Sequence, residues 1–312
     1  MVAVITGANS GVGLAIAKRL LAYDKSIVLA CRNADRASSA QKQLISEFPN
    51  ATIHIVQLDT SSTKSVLNAA YEISKLGPVD LLFCNAGAMA IAGLNLKAIA
   101  YGLFTKPIEF FESSDALVQQ RGLLSKDGLG LTFQTNVFGH YLLIHKLLFA
   151  SGARVIWTGS AASRLAFSRS DFMHIHGPQP YESSKFVIDQ IAIPLDTRLS
   201  RDNVRCFVAE PGNVCSSFLA GLNIPLLNVL VMVVFVLMRL LGLRRFTISS
   251  ECASASCMFL ALAPESELDP RLKYYSCASR LGLPFVSTAP LDYIPDTADF
   301  LIKKLDSLMS RK

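Results

Sequence analysis

The chain has 312 residues, of which 51% are hydrophobic and 17% are charged, and its formal net charge is +6. This length is sufficient for one large α/β domain with a substantial core, and the mean hydropathy of +0.38 indicates an apolar ligand, a membrane contact or both. Because the positive charge is spread along the chain and forms no Lys/Arg stripe, these totals argue against a nucleic-acid-binding protein.

The first predicted element is a strand over Val2–Thr6, which leads into a glycine-rich turn and then a helical pattern. The turn consists of Thr6, Gly7, Ala8, Asn9, Ser10, Gly11, Val12 and Gly13. A strand, a glycine turn and a helix in this order are typical of a dinucleotide site, the alternative being a loop between two core elements. Gly7 would permit the tight turn, Gly11 the close approach of a pyrophosphate, and Gly13 the packing of helix on strand.

Short β-rich runs alternate with helical patterns along most of the chain. The predicted strands are Val2–Thr6, Ser26–Ala30, Thr52–Gln57, Asp80–Cys84, Ala153–Trp157 and Arg205–Ala209. This alternation predicts an α/β fold with a doubly wound Rossmann-type parallel sheet, in a single domain over residues 1–312. Ligands of such sheets bind at the carboxyl ends of the strands, so the residues that follow each strand are the candidate site residues.

Arg32 follows the second predicted strand, and Asp59 follows the third. An acidic residue after the second strand would hold the ribose 2′-hydroxyl of NAD, whereas an arginine accommodates the 2′-phosphate of NADP. Arg32 therefore favours NADPH, unless it is only a solvated surface arginine. Asp59 is placed to bond the adenine, although aspartate is also a common helix N-cap.

The fourth predicted strand runs into Asn85, Ala86 and Gly87, which are further candidates for cofactor binding. An insertion over residues 88–128 follows, and it contains Phe104, Phe110 and Phe111 among its apolar residues. A connection this long in a compact domain is usually a functional lid or disordered, and its aromatic content argues against disorder. We expect a flap that covers a substrate or touches a membrane.

Tyr181 and Lys185 are four residues apart, so on a helix they share one face. A phenol has a pKa near 10, and a neighbouring ammonium group favours the phenolate and lowers that pKa. We expect Tyr181 to donate a proton to a carbonyl oxygen during ketone reduction. The alternative for this pair, taken alone, is two surface residues on a helix.

In chain order, these motifs resemble the short-chain dehydrogenase/reductase family over residues 1–217. They are TGANSGVG, NAG, the segment around Asn136, a serine after the fifth strand, YxxxK and PG. The longer pieces CRN, LNLKA, TNVFGHY, PYESSK and LKYYS are similar to the 3-keto-steroid reductase branch of that family, over nearly the whole chain. This resemblance implies NADPH-dependent reduction of the 3-keto group of a sterol intermediate to the 3β-alcohol in sterol biosynthesis. The alternatives are reduction of a 17-keto steroid or another lipid ketone, and a non-catalytic cofactor-binding scaffold.

The resemblance also implies roles for residues around the catalytic tyrosine. Lys185 would hold the nicotinamide ribose, and Asn136 would position a water that relays protons to the lysine. Pro211 and Gly212 would close over the nicotinamide, and Ser216 would contact its carboxamide.

Two serines are candidates for polarising the substrate carbonyl. Ser160 ends the fifth predicted strand, where the family has its serine, but it stands 21 residues before Tyr181, which is longer than the family spacing. Ser168 stands 13 residues before Tyr181 and matches that spacing, but it lies away from the strand end. We prefer Ser160 because the sheet fixes the strand end whereas a loop can lengthen, and we keep Ser168 as a candidate substrate contact.

A segment without charged residues extends from Pro211 to Met238, and arginines close it. An apolar run of about eighteen residues or more usually predicts a membrane-spanning helix. However, residues 273–276 resemble the last strand of the same sheet, and a single crossing would separate them from their partner strands. We therefore expect residues 218–243 to form an apolar lid or an in-plane or re-entrant membrane anchor, on the cytosolic face of the endoplasmic reticulum. The alternative is a buried or dimer-interface helix.

The seven cysteines show no CxxC spacing, and neither they nor the histidines at 140, 145, 174 and 176 show metal-ligand spacing. We therefore predict a reducing compartment without disulfides or a metal, and histidines that are structural or at the surface. Because the first predicted strand begins at Val2, we expect no secretory leader. The expected partners are a sterol or steroid ketone and membrane lipid; other sterol-biosynthesis enzymes and a homodimer are left open.

Overall fold

An eight-stranded, mostly parallel sheet forms the centre of the molecule. The computed structural model describes residues 1–105, 110, 113–163, 168–214 and 227–311. Its strands are β1 (Val2–Thr6), β2 (Ser26–Cys31), β3 (Ile53–Gln57), β4 (Val79–Cys84), β5 (Ile91–Leu94), β6 (Leu117–Gln119), β7 (Phe149–Thr158), β8 (Arg205–Glu210), β9 (Leu272–Ala278) and β10 (Pro284–Pro290). The order in the large sheet is β3-β2-β1-β4-β7-β8-β9-β10, and β5 pairs with β6 in a small separate sheet.

Helices cover both faces of the large sheet. They are α1 (Gly11–Leu21), α2 (Ala34–Glu47), α3 (Thr63–Ser74), α4 (Leu96–Thr105), α5 (Gly139–Lys146), α6 (Pro180–Leu199), α7 (Leu227–Leu240), α8 (Ser250–Ala253), α9 (Ala255–Leu262) and α10 (Pro295–Met309). Successive strand residues point to opposite faces, so Val4 packs in the cluster with α3, α5, α6 and α10, and Ile5 packs in the cluster with α1, α2 and α9. The doubly wound α/β architecture is therefore confirmed.

The far edge of the sheet differs from the prediction. The predicted strand at residues 273–276 lies within β9, which pairs in parallel with β8, but β9 is not the last strand. β10 follows it and pairs antiparallel, with Phe285 opposite Cys277. The predicted parallel sheet is therefore mostly parallel, with one antiparallel strand at this edge. Because β10 is an edge strand without a buried face, its sequence lacks the apolar run that marked the other strands.

The insertion over residues 88–128 contains the β5–β6 pair and α4. Its described aromatic residues differ in burial: Phe110 is buried against Gly102, where a Cβ would lie 2.3 Å from the Phe110 ring, whereas Phe104 is 90% exposed. Phe111 lies outside the described residues. The insertion thus builds its own small packed unit beside the N-terminus of α6.

The apolar segment at 218–243 is described only from residue 227 onward, where it forms α7. Residues Val229, Leu230, Val233 and Leu237 of this helix are about half exposed. Within the ranges given above, we found no helix that is both long and apolar enough to cross a membrane.

Candidate active site

The glycine turn joins β1 to α1, and two of its glycines are required by its geometry. Gly7 has φ of +67°, a left-handed conformation that favours glycine, and its N–H donates to the carbonyl of Ala30 at 2.8 Å. A Cβ on Gly13 would lie 2.5 Å from the carbonyl oxygen of Gly7 and 2.6 Å from Nδ2 of Asn85. Gly11 has φ of +55°, and a Cβ there would have no other part of the fold within 4 Å, so the space at the N-terminus of α1 is open.

Thr6 and Asn85 hold the ends of β1 and β4 together beneath this turn. The Thr6 hydroxyl is fully buried and accepts the backbone N–H groups of Asn85 and Ala86, each at 2.9 Å. The Asn85 side chain donates to the carbonyl of Thr6 at 2.9 Å. These two side chains therefore fix the backbone of the predicted cofactor loop from below.

His140 connects the same threonine to Asn136. Its Nε2 lies 2.9 Å from the Thr6 hydroxyl, and its Nδ1 lies 3.3 Å from the carbonyl oxygen of Asn136. A carbonyl can only accept, so Nδ1 carries the proton and Nε2 is an acceptor, which shares the single Thr6 hydroxyl proton with the Phe83 carbonyl at 3.1 Å. Burial lowers the pKa of His140 to about 3, which keeps the ring neutral. The structural role predicted for this histidine agrees with these contacts.

Arg32 and Asp59 stand at the ends of β2 and β3. Arg32 is exposed, as is Arg36 in the first turn of α2. The Asp59 carboxylate accepts the backbone N–H of Ser61 at 3.0 Å and its hydroxyl at 2.6 Å. The N-cap of α3 is Ser62 rather than Asp59, which leaves the second carboxylate oxygen of Asp59 outside these local bonds.

Asn136 lies in a π-helical turn, Gln134–Phe138, that leads into α5. Such turns are frequent at functional sites. The Asn136 side chain accepts the backbone N–H of Ala88 at 2.8 Å and donates to the Ala88 carbonyl at 3.1 Å and to the Ser184 hydroxyl at 2.9 Å. It therefore connects the chain after Gly87 to α6.

The first turns of α6 bring Tyr181 and Lys185 together with Ser160. Tyr181 is partly buried and is hydrogen-bonded to the Ser160 side chain. Nζ of Lys185 donates to the Thr158 carbonyl at 2.7 Å and lies 5.5 Å from the centre of the Tyr181 ring. Three of the predicted catalytic side chains thus meet at the carboxyl end of β7.

The pKa of Tyr181 differs from the prediction. Burial raises the pKa of Tyr181 to about 12, against a lowering by the hydrogen bond from Ser160. Burial also lowers the pKa of Lys185 to about 8. The expectation of a lowered Tyr181 pKa is therefore wrong, because the effect of burial outweighs the lowering by Ser160 and by the charge of Lys273.

Ser168 takes a different position from Ser160. It is exposed, its hydroxyl lies 2.9 Å from that of Ser170, and it accepts the N–H of Asp171 at 3.2 Å as the N-cap of a short 3₁₀ turn. The strand end, rather than the family spacing, is what places a serine against Tyr181. Ser168 remains only a predicted substrate contact.

Pro211 and Gly212 follow β8, as predicted. Gly212 has φ of +72°, and a Cβ there would lie 2.5 Å from the carbonyl oxygen of Arg245. The Pro211 carbonyl accepts from the Thr247 hydroxyl at 3.0 Å. The predicted carboxamide contact, Ser216, lies outside the described residues.

Gln119 is a residue of this site that the sequence did not indicate. It stands at the end of β6, is almost fully buried, and its side-chain oxygen accepts the backbone N–H of Tyr181 at 2.9 Å. Its Nε2 donates to the carboxylate of Glu182 at 2.6 Å and lies 3.3 Å from the Ser114 hydroxyl. The insertion therefore holds the N-terminus of the helix that carries the tyrosine.

A cavity of about 800 Å³ lies between the insertion and α6. Tyr101, Phe110 and Leu117 contribute to its wall from the insertion. On the opposite side it is lined by Ala161 and Glu182, which directly follow Ser160 and Tyr181 in the sequence. In the described part of the chain, no group of three or more His, Cys, Asp or Glu residues is arranged to hold a metal ion.

Comparisons with known proteins agree with this geometry. A family model described as short chain dehydrogenase matches residues 1–224. Human 3-keto-steroid reductase/17-beta-hydroxysteroid dehydrogenase 7 is 35% identical over 97% of this chain and 92% of its own length. The 3-keto-steroid reductase erg27 of Schizosaccharomyces pombe is 31% identical over 94% of this chain and 91% of its own length.

Solved structures show the same fold at lower identity. An uncharacterised protein from Mycobacterium paratuberculosis superposes with a TM-score of 0.65 and 20% identity, over 99% of this chain and 93% of that one. A metagenomic short-chain oxidoreductase solved in complex with NADP has a TM-score of 0.53 and 19% identity, over 85% and 92%.

Proposed function

The chain belongs to the short chain dehydrogenase family, and on that premise we propose that it is an NADPH-dependent reductase of the 3-keto group of a sterol intermediate, producing the 3β-alcohol in sterol biosynthesis. The observation that carries this proposal is the contact between Tyr181 and Ser160, with Lys185 on the same helix face. The next residues in the chain, Ala161 and Glu182, line a cavity of about 800 Å³. Both relatives named above are called 3-keto-steroid reductases, and the similarity extends over nearly their full length, which supports the substrate class.

The residues at the amino end of α1 fit a dinucleotide. The turn is closely packed beneath, where Gly13 leaves no room for a Cβ, and open above at Gly11, so backbone N–H groups are accessible to a pyrophosphate. Exposed Arg32, with Arg36 beside it, would hold a 2′-phosphate, and this favours NADPH over NADH. The bound cofactor would supply a hydride to the carbonyl carbon of the substrate.

The protein's own groups would handle the carbonyl oxygen. The Ser160 hydroxyl would donate a hydrogen bond to it and stabilise the negative charge that develops there. Tyr181 would then transfer its phenolic proton to the same oxygen and complete the alcohol. Because burial raises the pKa of Tyr181 to about 12, the residue holds that proton at neutral pH, as an acid in a reduction must. The Lys185 ammonium group would stabilise the phenolate that is left.

The test of this function is NADPH oxidation by the full chain with a 3-keto C4-methyl sterol, beside a 17-keto steroid and NADH as comparisons. We expect turnover of the 3-keto sterol with NADPH, and a fall of about a thousandfold or more in Tyr181→Phe, which removes only the transferable proton. Tyr71→Phe, a change on the exposed outer side of α3, is the matched control. Turnover of only the 17-keto steroid would mean that the substrate is a 17-keto steroid rather than a 3-keto sterol. Binding of NADPH without turnover of either ketone would contradict the sterol assignment.

We further propose that α7 lies in the plane of a membrane, on the cytosolic face of the endoplasmic reticulum. Its half-exposed apolar residues adjoin the β9–β10 turn, where a Cβ on Gly282 would lie 3.2 Å from the guanidinium of Arg239. Leu281 and Leu283 of that turn are 87% and 67% exposed. An apolar surface bordered by arginines suits an interfacial helix facing anionic headgroups.

Vesicle flotation tests this attachment. We expect the full chain to float with vesicles of phosphatidylcholine and phosphatidylserine, and Val233→Asp with Leu237→Asp to reduce the bound fraction severalfold. Leu148→Asp, at an exposed apolar residue before β7, is the control. If the paired aspartates leave flotation unchanged but split a dimer into monomers, α7 is a subunit interface instead.

A further inference from the structure

A buried group of charges lies directly behind the catalytic side chains. Nζ of Lys273, on β9, donates to the Asp189 carboxylate at 2.9 Å and lies 3.7 Å from the Glu210 carboxylate. The side chains of all three residues are at least nine-tenths buried. An ion pair this deep is costly to build, so it calls for a reason other than stability.

Asp189 lies on the same face of α6 as Tyr181 and Lys185, because the three residues follow one another at intervals of four. A lysine and an aspartate at this interval are well placed to pair with each other. Here the Asp189 carboxylate instead accepts from Lys273 and, at 2.6 Å, from the Ser163 hydroxyl. Lys185 is left to donate to the Thr158 carbonyl beneath Tyr181.

Lys273 also touches the residue that carries the catalytic hydroxyl. Its Nζ donates to the backbone carbonyl of Ser160 at 3.1 Å. The stem of the lysine passes closely over Gly159, where a Cβ would lie 3.0 Å from its Cε. The ammonium group is therefore held in one place, between the backbone of Ser160 and the carboxylate of Asp189.

We propose that Lys273 is a positioning residue for the reaction: by binding Asp189 and the Ser160 carbonyl, it keeps Lys185 directed at Tyr181 and the serine hydroxyl in place. This inference rests on the proposed function only in requiring that Tyr181 act as the proton donor to a ketone. Without Lys273, the freed Asp189 carboxylate would draw Lys185 away from the tyrosine.

The charges around Tyr181 and Lys185 determine in which direction the pKa values of this pair should move when Lys273 is removed. Several charged or titratable groups act on the pKa values of Tyr181, Lys185 and Lys273. They are Asp189 on α6, Glu210 at the end of β8, Tyr275 on β9 and Glu182 beside Tyr181. The Lys273 charge lowers the pKa of both Tyr181 and Lys185, whereas the Asp189 charge raises that of Lys185. Removing the Lys273 charge should therefore raise the pKa values of the Tyr181–Lys185 pair, and removing the Asp189 charge should lower that of Lys185.

The experiment is the pH dependence of kcat for ketone reduction in Lys273→Met, Asp189→Asn and the double variant. The alkaline limb reports proton loss from the Tyr181–Lys185 pair, which titrates as a unit. We expect kcat to fall about tenfold in Lys273→Met, with the limb moved upward by about half a pH unit or more, and a downward movement in Asp189→Asn. In the double variant both the limb and kcat should return toward the wild type, because the competing carboxylate is gone.

The matched control is Arg205→Met, which breaks the ion pair with Asp196 at the opposite end of β8. We expect it to lower thermal stability and to leave the limb unchanged. If Lys273→Met shifts only stability, as the control does, or if the double variant is no better than Lys273→Met, the positioning role is wrong. Should Lys273→Met fail to fold, the double variant still decides: a kcat about tenfold or more below that of the wild type, although the competing carboxylate is gone, would contradict the role. The profile is recorded with whichever ketone the wild type reduces, so loss of the sterol assignment would not be mistaken for loss of this role.

Discussion

The glycine turn and the start of α6 are held in place in different ways. At Gly13 the backbone packs so closely that a single methyl group would collide with it, and at Gly7 the left-handed backbone favours glycine. Around Tyr181 the chain is held by buried hydrogen bonds from side chains distant in sequence, such as Gln119. The first region therefore tolerates no added volume at Gly13, whereas the second depends on polar groups that are easily removed. Substitutions should affect cofactor affinity in the first and turnover in the second.

Among the substitutions that compare these two regions, Gly13→Ala is expected to have the largest effect, on NADPH binding. Its methyl group would fall 2.5 Å from the Gly7 carbonyl oxygen, so the turn that would face the pyrophosphate must shift. We expect the Kd for NADPH, measured by fluorescence titration, to rise at least about thirtyfold and unfolding to become easier by about 1–3 kcal/mol. Gly93→Ala, in β5 with open space around it, should change either quantity little. Unchanged affinity in Gly13→Ala would show that the turn yields.

A smaller effect is expected at His140, which joins the two regions. Its folded-state pKa of about 3 lies below the ordinary value of 6.5, so the unfolded chain takes up the proton first as pH falls. The stability that the neutral ring contributes is therefore complete above pH 6.5 and is lost progressively from there toward pH 3.

Urea unfolding at pH 7 and pH 5 measures this difference. We expect the wild type to lose about 2 kcal/mol more than His140→Leu between the two pH values, because the variant has no ring to protonate. His176→Leu, at an exposed position, should lose as much as the wild type. Equal losses in the wild type and His140→Leu would mean that the ring is protonated in the folded chain.

The same contrast explains what the sequence revealed. The glycines, Asn85 and the Tyr181–Lys185 pair lie in short motifs at strand ends or on one helix turn, and the order of these motifs along the chain predicted them. Ser160 was predicted because the sheet fixes the end of β7. Gln119 and Lys273 lie about sixty and ninety residues from Tyr181, and only the folded chain brings them there.

The altered pKa of Tyr181 was missed for a related reason. A sequence shows which charges neighbour a phenol on the same helix, but it does not show how much water the fold removes from it. The edge strand β10 was missed because it buries no apolar face. In both cases the deciding quantity is burial by parts of the chain that are remote in sequence.

The smallest expected effect belongs to Gln119, where the catalytic region can be loosened without disturbing the glycine turn. Gln119→Leu keeps the volume but removes the acceptor for the Tyr181 N–H and the donor to Glu182. We expect kcat for ketone reduction to fall about tenfold, since the tyrosine is less firmly placed, while the Kd for NADPH stays within about twofold. Val118→Ala, at the exposed neighbouring position, should leave both unchanged.

Gln119→Glu separates loss of the hydrogen bond from added charge. It keeps an acceptor for the Tyr181 N–H but places a second carboxylate against Glu182, and two buried carboxylates in contact favour sharing one proton. At pH 7 we expect Gln119→Glu to be slower than Gln119→Leu, and near pH 5 to recover relative to it as that proton is bound. If instead both variants weaken NADPH binding and leave kcat unchanged, the insertion supports the cofactor turn, and the two regions are not independent.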